Sequence, residues 1–244
     1  MTAPPFVGRL LGRRKNGIPN TADKDSSQSV EIANALMAQL GIDRTTTLGG
    51  QKAGSFLEHE VAKFIQHELK RLAPRNSFNV AVGGHLFDFA QYGHLADLTD
   101  MVTADRTGVL STSIGRDYEI KPDVTVSISN DPLALPFLQA AVSCKFTIRS
   151  DRVQNIRHEA STMIRHRRGR LPHIVAVTSE PLPSRLASIA RGTGEIDAVY
   201  HVALDELIVA VHRVGGPEQS ATLDELVGHG RLRPLSRLPK TLLC

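Results

Sequence analysis

The sequence predicts an α/β fold, in which helices pack on a mixed β-sheet, from three observations. Apolar residues recur at helical spacing over 28–40 and again over about 55–72. Two later stretches, 119–129 and 139–149, alternate apolar and polar residues as half-buried strands do. The β-branched run 173–179 is typical of a strand buried in the centre of a sheet.

The other elements are predicted in chain order from the same kinds of pattern. Residues 1–27 are polar and rich in Pro, Gly, Asp and Ser, which predicts an N-terminal arm rather than a core element. The Thr- and Gly-rich stretch 45–54 is predicted to be a loop. Further elements are a strand at 78–82, helices at 94–102 and 152–168, a short helix at 184–192, a strand followed by a helix within 196–211, and a last helical piece at 222–230.

Composition excludes several classes of protein. With 41% hydrophobic and 22% charged residues, the 244-residue chain is neither disordered nor fibrous, and we expect one domain spanning 1–244. No apolar run approaches the ~18 residues of a membrane span, and the N-terminus lacks the apolar segment of a signal peptide, so no membrane partner is expected. Two cysteines, Cys144 and Cys244, exclude a disulfide framework and predict a cytoplasmic protein.

Basic residues concentrate in one segment of the chain. Between Lys145 and Arg170, eight basic residues accompany two acidic ones, a net charge of +6, whereas the whole chain carries +4. Seven of the eight are arginines, whose planar guanidinium binds phosphate oxygens or guanine O6 and N7 in pairs. A solvated helix face is the simpler alternative for a basic run, but the excess of arginine favours a nucleic acid partner.

An aspartate and a lysine on the two alternating strands form a pattern typical of nucleases. Asp123 follows Pro122, and Lys145 lies on the next strand. This Pro-Asp…Lys pattern resembles the PD-(D/E)xK nuclease core, in which Asp binds a divalent metal and Lys stabilises the attacking water and the developing charge. The position two before the lysine is normally acidic, and here it is Ser143. The alternative is that Asp123 and Lys145 are ordinary surface residues.

Glu159 is the candidate for the missing second carboxylate. One carboxylate alone would hold Mg²⁺ weakly. Glu159 lies at the edge of the apolar arc of the predicted helix after Lys145, where a carboxylate is costly unless it is paired or metal-bound. An ion pair with Arg157 or Arg165 is the alternative.

The run S-C-K-F-T-I-R-S-D-R-V-Q-N, followed by Glu159 fourteen residues beyond Lys145, resembles the NgoMIV-type restriction endonucleases. Those enzymes belong to the type II group whose recognition sites contain a CCGG core. They carry the second acidic residue on the helix that follows the strand, and a Ser occupies the strand position where that acid normally stands. The resemblance is strong over 119–168 and weaker over 48–65. It implies a restriction-endonuclease-like core and Mg²⁺-dependent hydrolysis of double-stranded DNA at a CCGG-centred palindrome.

The resemblance also implies which residues form the active site. Asp123, Glu159 and the backbone carbonyl of Cys144 would hold the metal, with two Mg²⁺ ions per site allowed. Lys145 and Glu58 would complete the catalytic set. Glu60 competes with Glu58, and the Gly-x-x-x-Glu spacing favours Glu58.

Further residues match the family's DNA contacts. Arg149, Asp151 and Arg152 would recognise the CCGG bases from the major groove, because arginine suits guanine and a carboxylate accepts from cytosine N4. The outer base pair is assigned to Gln51, Arg185 and, in the predicted DNA-contacting arm, Asp25 and Ser27. These outer positions imply GCCGGC as the preferred hexamer.

A palindromic target requires at least a two-fold dimer, and the resemblance implies a homodimer or a homotetramer built as a dimer of dimers. The Gly pairs of the chain have no P-loop context, so no nucleotide cofactor is expected. Two alternatives stay open. One is a repair, junction-resolving or RNA nuclease on the same core, and the other is a DNA-binding module whose metal site is vestigial because Ser143 replaces the acid.

Overall fold

Six strands form one mixed sheet in a computed structural model that describes residues 3–129, 131 and 133–243, apart from the side chains of residues 150–152. The strands are β1 Phe78–Val82, β2 Val124–Ile128, β3 Phe137–Lys145, β4 His173–Thr178, β5 Ala198–His201 and β6 Leu232–Pro234. They lie side by side in sequence order. Strands β1, β2 and β3 pair antiparallel, whereas β3 to β6 pair parallel. The predicted α/β fold around a mixed central sheet is therefore confirmed.

Helices flank this sheet. They are α1 Val7–Leu10, α2 Ser27–Gln39, α3 Gly50–Leu72, α4 His94–Ala104, α5 Val109–Ile114, α6 Ser150–His166, α7 Pro183–Ala190, α8 Leu204–Val214, α9 Gly216–Gly228 and α10 Leu238–Thr241, with 3₁₀ turns at Leu86–Asp88 and Leu235–Arg237. Across the described part of the chain, no helix combines the length and the apolar character that crossing a membrane requires.

The central strands are buried on both faces, which differs from the half-buried strands predicted. The small polar side chains of Thr125, Ser127 and Ser143 are all buried, although the alternating pattern places them on a polar face. Hydroxyl side chains of this size fit between packed layers, so alternation alone does not distinguish a solvated face from a covered one. Among the polar side chains of β2 and β3, Lys145 at the end of β3 is the one that is partly exposed.

Helix α3 begins earlier than predicted. It starts at Gly50, inside the stretch 45–54 that we expected to be a loop. Ala53 and Leu57 are fully buried, so core packing extends the helix through glycines of low helix propensity. The extension places Gln51 in the first turn of the helix.

The N-terminal segment is packed into the protein, so the prediction of an arm outside the core is wrong. Phe6, Val7, Leu10 and Leu11 belong to the buried core, and α1 carries two of them. Their spacing is helical, but it spans little more than one turn between Pro5 and Gly12, which is too short for a periodic signal to stand out from the polar composition. Only their long-range contacts reveal that they are buried.

Candidate active site and DNA-recognition cavity

Asp123 and Lys145 meet where β2 begins and β3 ends. Because β2 and β3 are antiparallel, with Val124 opposite Val142, the residue before β2 lies beside the last residues of β3. The Lys145 Nζ donates to Asp123 Oδ2 at 2.7 Å, and the backbone N–H of Cys144 donates to the same oxygen at 2.7 Å. The sheet register therefore forms the predicted aspartate–lysine pair directly.

Two glutamates from the flanking helices join this pair. Burial and the nearby Asp123 carboxylate raise the pKa of Glu58 on α3, and Lys145 opposes them. Burial also raises the pKa of Glu159 on α6, where Lys145 opposes the increase and Asp123 adds to it. Since Asp123 and Lys145 act on both glutamates, the four side chains form one electrostatic cluster, which we call the catalytic cluster.

Glu58 and Glu60 lie on different sides of α3. Glu60 accepts hydrogen bonds from Arg9 at 2.5 Å and from Lys63 at 3.0 Å. Arg9 lies in α1, so Glu60 is engaged in one ion pair between α1 and α3 and in a second, with Lys63, within α3. Glu58 instead lies close enough to Asp123 for its pKa to respond, and this geometry favours Glu58 as the accessory carboxylate.

The catalytic cluster has the chemistry of a Mg²⁺ site. It combines the three carboxylates of Glu58, Asp123 and Glu159 with a single lysine, and hard oxygen donors are the ligands that Mg²⁺ prefers. A bound cation would offset the desolvation and repulsion that raise the pKa of both glutamates. Within the described ranges, no three His, Cys, Asp or Glu side chains form a ready-made metal cage, so binding requires side-chain adjustment.

A cavity of about 780 Å³ opens beside the loop that follows β3. Three segments line it, namely the N-terminal segment, the loop after β3 with the start of α6, and the start of α7. The lining residues are Arg14, Ala22, Asp23, Lys24, Asp25, Thr147, Ile148, Arg149, Val153, Gln154, Ser184, Arg185 and Ser188. We call this the recognition cavity, because three residues predicted to contact bases, Asp25, Arg149 and Arg185, lie together in it.

Arg185 forms an ion pair with Asp23, a residue that the sequence pattern did not single out. The hydrogen bond from Arg185 and one from the Asp25 N–H lower the pKa of Asp23. Arg14 was also missed, and its guanidinium donates at 3.0 Å to the backbone carbonyls of Asn20 and Ala22, which shapes the same wall. No local signal marks these contacts, because Asp23 and Arg185 are 162 residues apart.

The other predicted DNA contacts are placed differently. Ser27 and Gln51 are exposed in the first turns of α2 and α3, and neither is among the described residues lining the cavity. The side chains of Asp151 and Arg152 lie outside the described residues; their backbone belongs to the first turn of α6. The geometry therefore brings Asp25, Arg149 and Arg185 together and leaves Ser27 and Gln51 apart from them.

Comparison with known proteins identifies relatives of this chain. The sequence profile of the NgoMIV restriction enzyme family matches residues 7–135 and 127–243. The type II restriction enzyme NgoMIV of Neisseria gonorrhoeae is 34% identical over 267 aligned residues, which cover 96% of this chain and 93% of that enzyme. Among solved structures, a pre-specific complex of the restriction endonuclease BsaWI with DNA aligns with 73% of this chain and 64% of its own, at 13% identity and a TM-score of 0.35.

Proposed function

Because the chain belongs to the NgoMIV restriction enzyme family, and is thus a type II site-specific deoxyribonuclease, we propose that it cuts double-stranded DNA at GCCGGC in a Mg²⁺-dependent reaction. One observation carries this proposal. The catalytic cluster and the arginine-lined recognition cavity lie at the two ends of a single short stretch, from Lys145 to Arg149. Family membership also favours a site-specific DNA nuclease over an RNA nuclease or a vestigial binding module.

Asp123, Glu159 and the carbonyl oxygen of Cys144 are the residues that would hold the metal. A Mg²⁺ ion held there would supply Lewis-acid activation of the scissile phosphate and of the attacking water. The Lys145 ammonium, held at 2.7 Å from Asp123, neutralises the negative charge that develops at phosphorus. Glu58 is the accessory carboxylate that orients water. In-line attack of water on phosphorus leaves 5′-phosphate and 3′-hydroxyl ends.

Recognition is assigned to the arginine-rich side of the site. Arg149, with Asp151 and Arg152, contacts the central CCGG. Arg185 contacts the outer guanine, with Asp25, Ser27 and Gln51 as the remaining outer contacts. The shared cavity supports this assignment for Asp25, Arg149 and Arg185, because one DNA segment seated there would meet all three.

The two-fold symmetry of a palindromic target determines the smallest oligomer that can be active. Each half-site needs one copy of the recognition cavity, so a two-fold dimer is required, and a dimer of two such dimers would act on two sites. We therefore propose a homodimer or homotetramer as the active form.

Digestion of plasmid DNA tests the proposal. A plasmid with one GCCGGC site and a matched plasmid with that site scrambled are incubated with the protein, with Mg²⁺ or with EDTA, and the DNA ends are sequenced. We expect a single cut within GCCGGC, 5′-phosphate ends, and no cutting in EDTA or by the Lys145→Ala variant. Equal cutting of the scrambled plasmid would exclude this specificity, and cutting in EDTA would exclude the metal.

A further inference from the structure

Glu180 is a buried carboxylate that belongs to neither the catalytic cluster nor the predicted DNA contacts. It follows β4, and its side chain is completely shielded from solvent. Glu180 Oε2 accepts the backbone N–H of Ile148 at 2.9 Å, and Oε1 accepts the backbone N–H of Leu182 at 3.2 Å. Burying a carboxylate costs free energy unless its oxygens are hydrogen-bonded. Glu180 uses both oxygens to accept backbone N–H groups, which an apolar side chain at this position could not do.

The two amides belong to two of the three walls of the recognition cavity, those that carry Arg149 and Arg185. Ile148 immediately precedes Arg149, and Leu182 immediately precedes α7, which carries Arg185. These segments are far apart in the sequence, since Ile148 and Glu180 are separated by 32 residues. The Glu180 side chain is a direct bridge between them.

The neighbouring residue extends this bridge to the third wall. Ser179 Oγ donates to the carbonyl of Phe146 at 2.7 Å, which holds the same loop after β3. Thr21 Oγ1 donates to the carbonyl of Ser179 at 2.5 Å, and Thr21 lies two residues before Asp23, the partner of Arg185. All three walls of the cavity are therefore tied to the turn that follows β4.

We propose that Glu180 is a positioning residue for sequence recognition, whose carboxylate fixes Arg149 and Arg185 relative to each other so that central and outer base pairs are recognised together. Glu180 acts through the backbone and does not touch DNA. The inference rests on the proposed function, specifically on Arg149 and Arg185 as base contacts.

The chemistry favours a charged carboxylate. The deprotonated form accepts on both oxygens without a competing donor, whereas an amide turns its NH₂ group toward one backbone N–H, and a protonated acid carries an O–H donor that weakens acceptance on one oxygen. Burial raises the pKa of Glu180 to about 7, against the N–H groups of Ile148 and Leu182 and the charge of Arg185, which lower it. We therefore expect protonation to weaken one of the two contacts.

The other titratable groups around Glu180 do not switch in the same range. Asp23 raises the pKa of Glu180, but its own pKa is lowered, mainly by Arg185, so it remains charged. His201 on β5 packs against the backbone of residues 179 and 180, and burial lowers its pKa to about 4, which keeps it neutral. A change in the discrimination ratio near pH 7 that is present in the wild type and absent in Glu180→Gln would therefore report on Glu180.

The test measures discrimination rather than cleavage. Equilibrium binding is measured with Ca²⁺ in place of Mg²⁺, using a GCCGGC duplex and duplexes with one central or one outer base pair changed. We expect Glu180→Gln to lower the ratio of specific to mismatched affinity about tenfold or more, at central and outer positions alike, with non-specific affinity unchanged. In the wild type the ratio should fall from pH 8 to pH 6, whereas in Glu180→Gln it should be low and independent of pH.

A matched control removes another buried polar bridge. Gln91 accepts the Leu138 N–H at 2.9 Å and donates to the carbonyls of Leu138 at 2.8 Å and Arg170 at 3.5 Å, and it is not among the described residues that line the recognition cavity. Gln91→Leu should lower the melting temperature but keep the wild-type ratio and its pH dependence. Loss of discrimination in this control as well would mean that general destabilisation explains the effect, and the inference would be overturned.

Failure of the inference is distinguishable from failure of the proposed function. If Arg149→Ala leaves discrimination intact, the assignment of base contacts is wrong. If Arg149→Ala abolishes discrimination while a correctly folded Glu180→Gln variant retains it, Glu180 has no positioning role. If Glu180→Gln does not fold, the wild-type pH profile decides, and a ratio unchanged between pH 6 and pH 8 overturns the inference.

Discussion

The catalytic cluster and the recognition cavity are neighbours along the chain but are assembled in opposite ways. The catalytic cluster holds carboxylates around one lysine, and the pairing of β2 with β3 places its central pair. The recognition cavity is rich in arginine, and its walls are joined by contacts such as Arg185 with Asp23, 162 residues apart. Sheet register thus places the proposed catalytic pair, whereas polar contacts between distant segments place the proposed recognition residues. Catalysis and specificity should be separable by mutation.

The largest difference between the effect on cleavage and the effect on specific binding is expected at the aspartate–lysine pair. Asp123→Ala and Lys145→Ala should each lower the cleavage rate by roughly 10³-fold or more, because both groups act on charge at phosphorus. Specific binding should largely survive. Single-turnover cleavage and duplex binding measure the two properties, with the exposed Lys121→Ala as a control that cuts normally. Substantial turnover by either variant would remove the pair from the catalytic assignment.

The next largest effect on cleavage is expected at Glu159, the candidate second carboxylate on α6. Glu159→Ala should be as inactive as Asp123→Ala at saturating Mg²⁺, because one carboxylate holds the metal weakly. The double variant Ser143→Glu, Glu159→Ser returns the carboxylate to β3 and should recover part of the activity if both positions face one metal. Normal cutting by Glu159→Ala, measured over a Mg²⁺ titration, would make Glu159 an ordinary buried acid.

Two glutamates on one helix provide a matched pair. Glu58→Gln should slow cleavage by about 10- to 100-fold, as expected for an outer residue of a metal site. Glu60→Gln should cut at the wild-type rate, because Glu60 pairs with Arg9 and Lys63 instead. The Glu60→Gln change should lower only the free energy of unfolding, by about 0–1 kcal/mol, because the side chains of Arg9 and Lys63 are largely exposed. Reversed rates for the two variants would favour Glu60 as the accessory carboxylate.

Within the DNA-binding surface, specificity and affinity should also separate. Arg152→Ala should cost about 1–3 kcal/mol of discrimination at one base pair while leaving non-specific binding nearly intact. Arg167→Ala with Arg168→Ala removes two exposed arginines beyond α6, and it should weaken specific and scrambled duplexes equally. Each lost phosphate contact lowers the salt slope by about one. An unchanged specificity ratio in Arg152→Ala, titrated at two salt concentrations, would show that another residue recognises that base.

The same contrast explains what the sequence alone could predict. The proximity of Asp123, Lys145 and Glu159 could be predicted because strand alternation, helical spacing and the Pro-Asp pattern are all local signals. The burial of the N-terminal segment and the start of α3 were missed, because core packing overrode composition in both places. Asp23 and Glu180 were missed for a related reason. Their partners are 162 and 32 residues away, and no short-range pattern encodes such contacts.

The link between Asp23 and Arg185 also sets an order on folding and synthesis. Asp23 and Arg185 are 162 residues apart, whereas Asp123 and Lys145 are 22 apart, so the two contacts need very different lengths of finished chain. Because synthesis runs from the N-terminus, a chain that extends only through β3 already contains both members of the aspartate–lysine pair, but it does not yet contain Arg185. The nascent chain can therefore complete the aspartate–lysine pair before it can complete the pairing of Asp23 with Arg185.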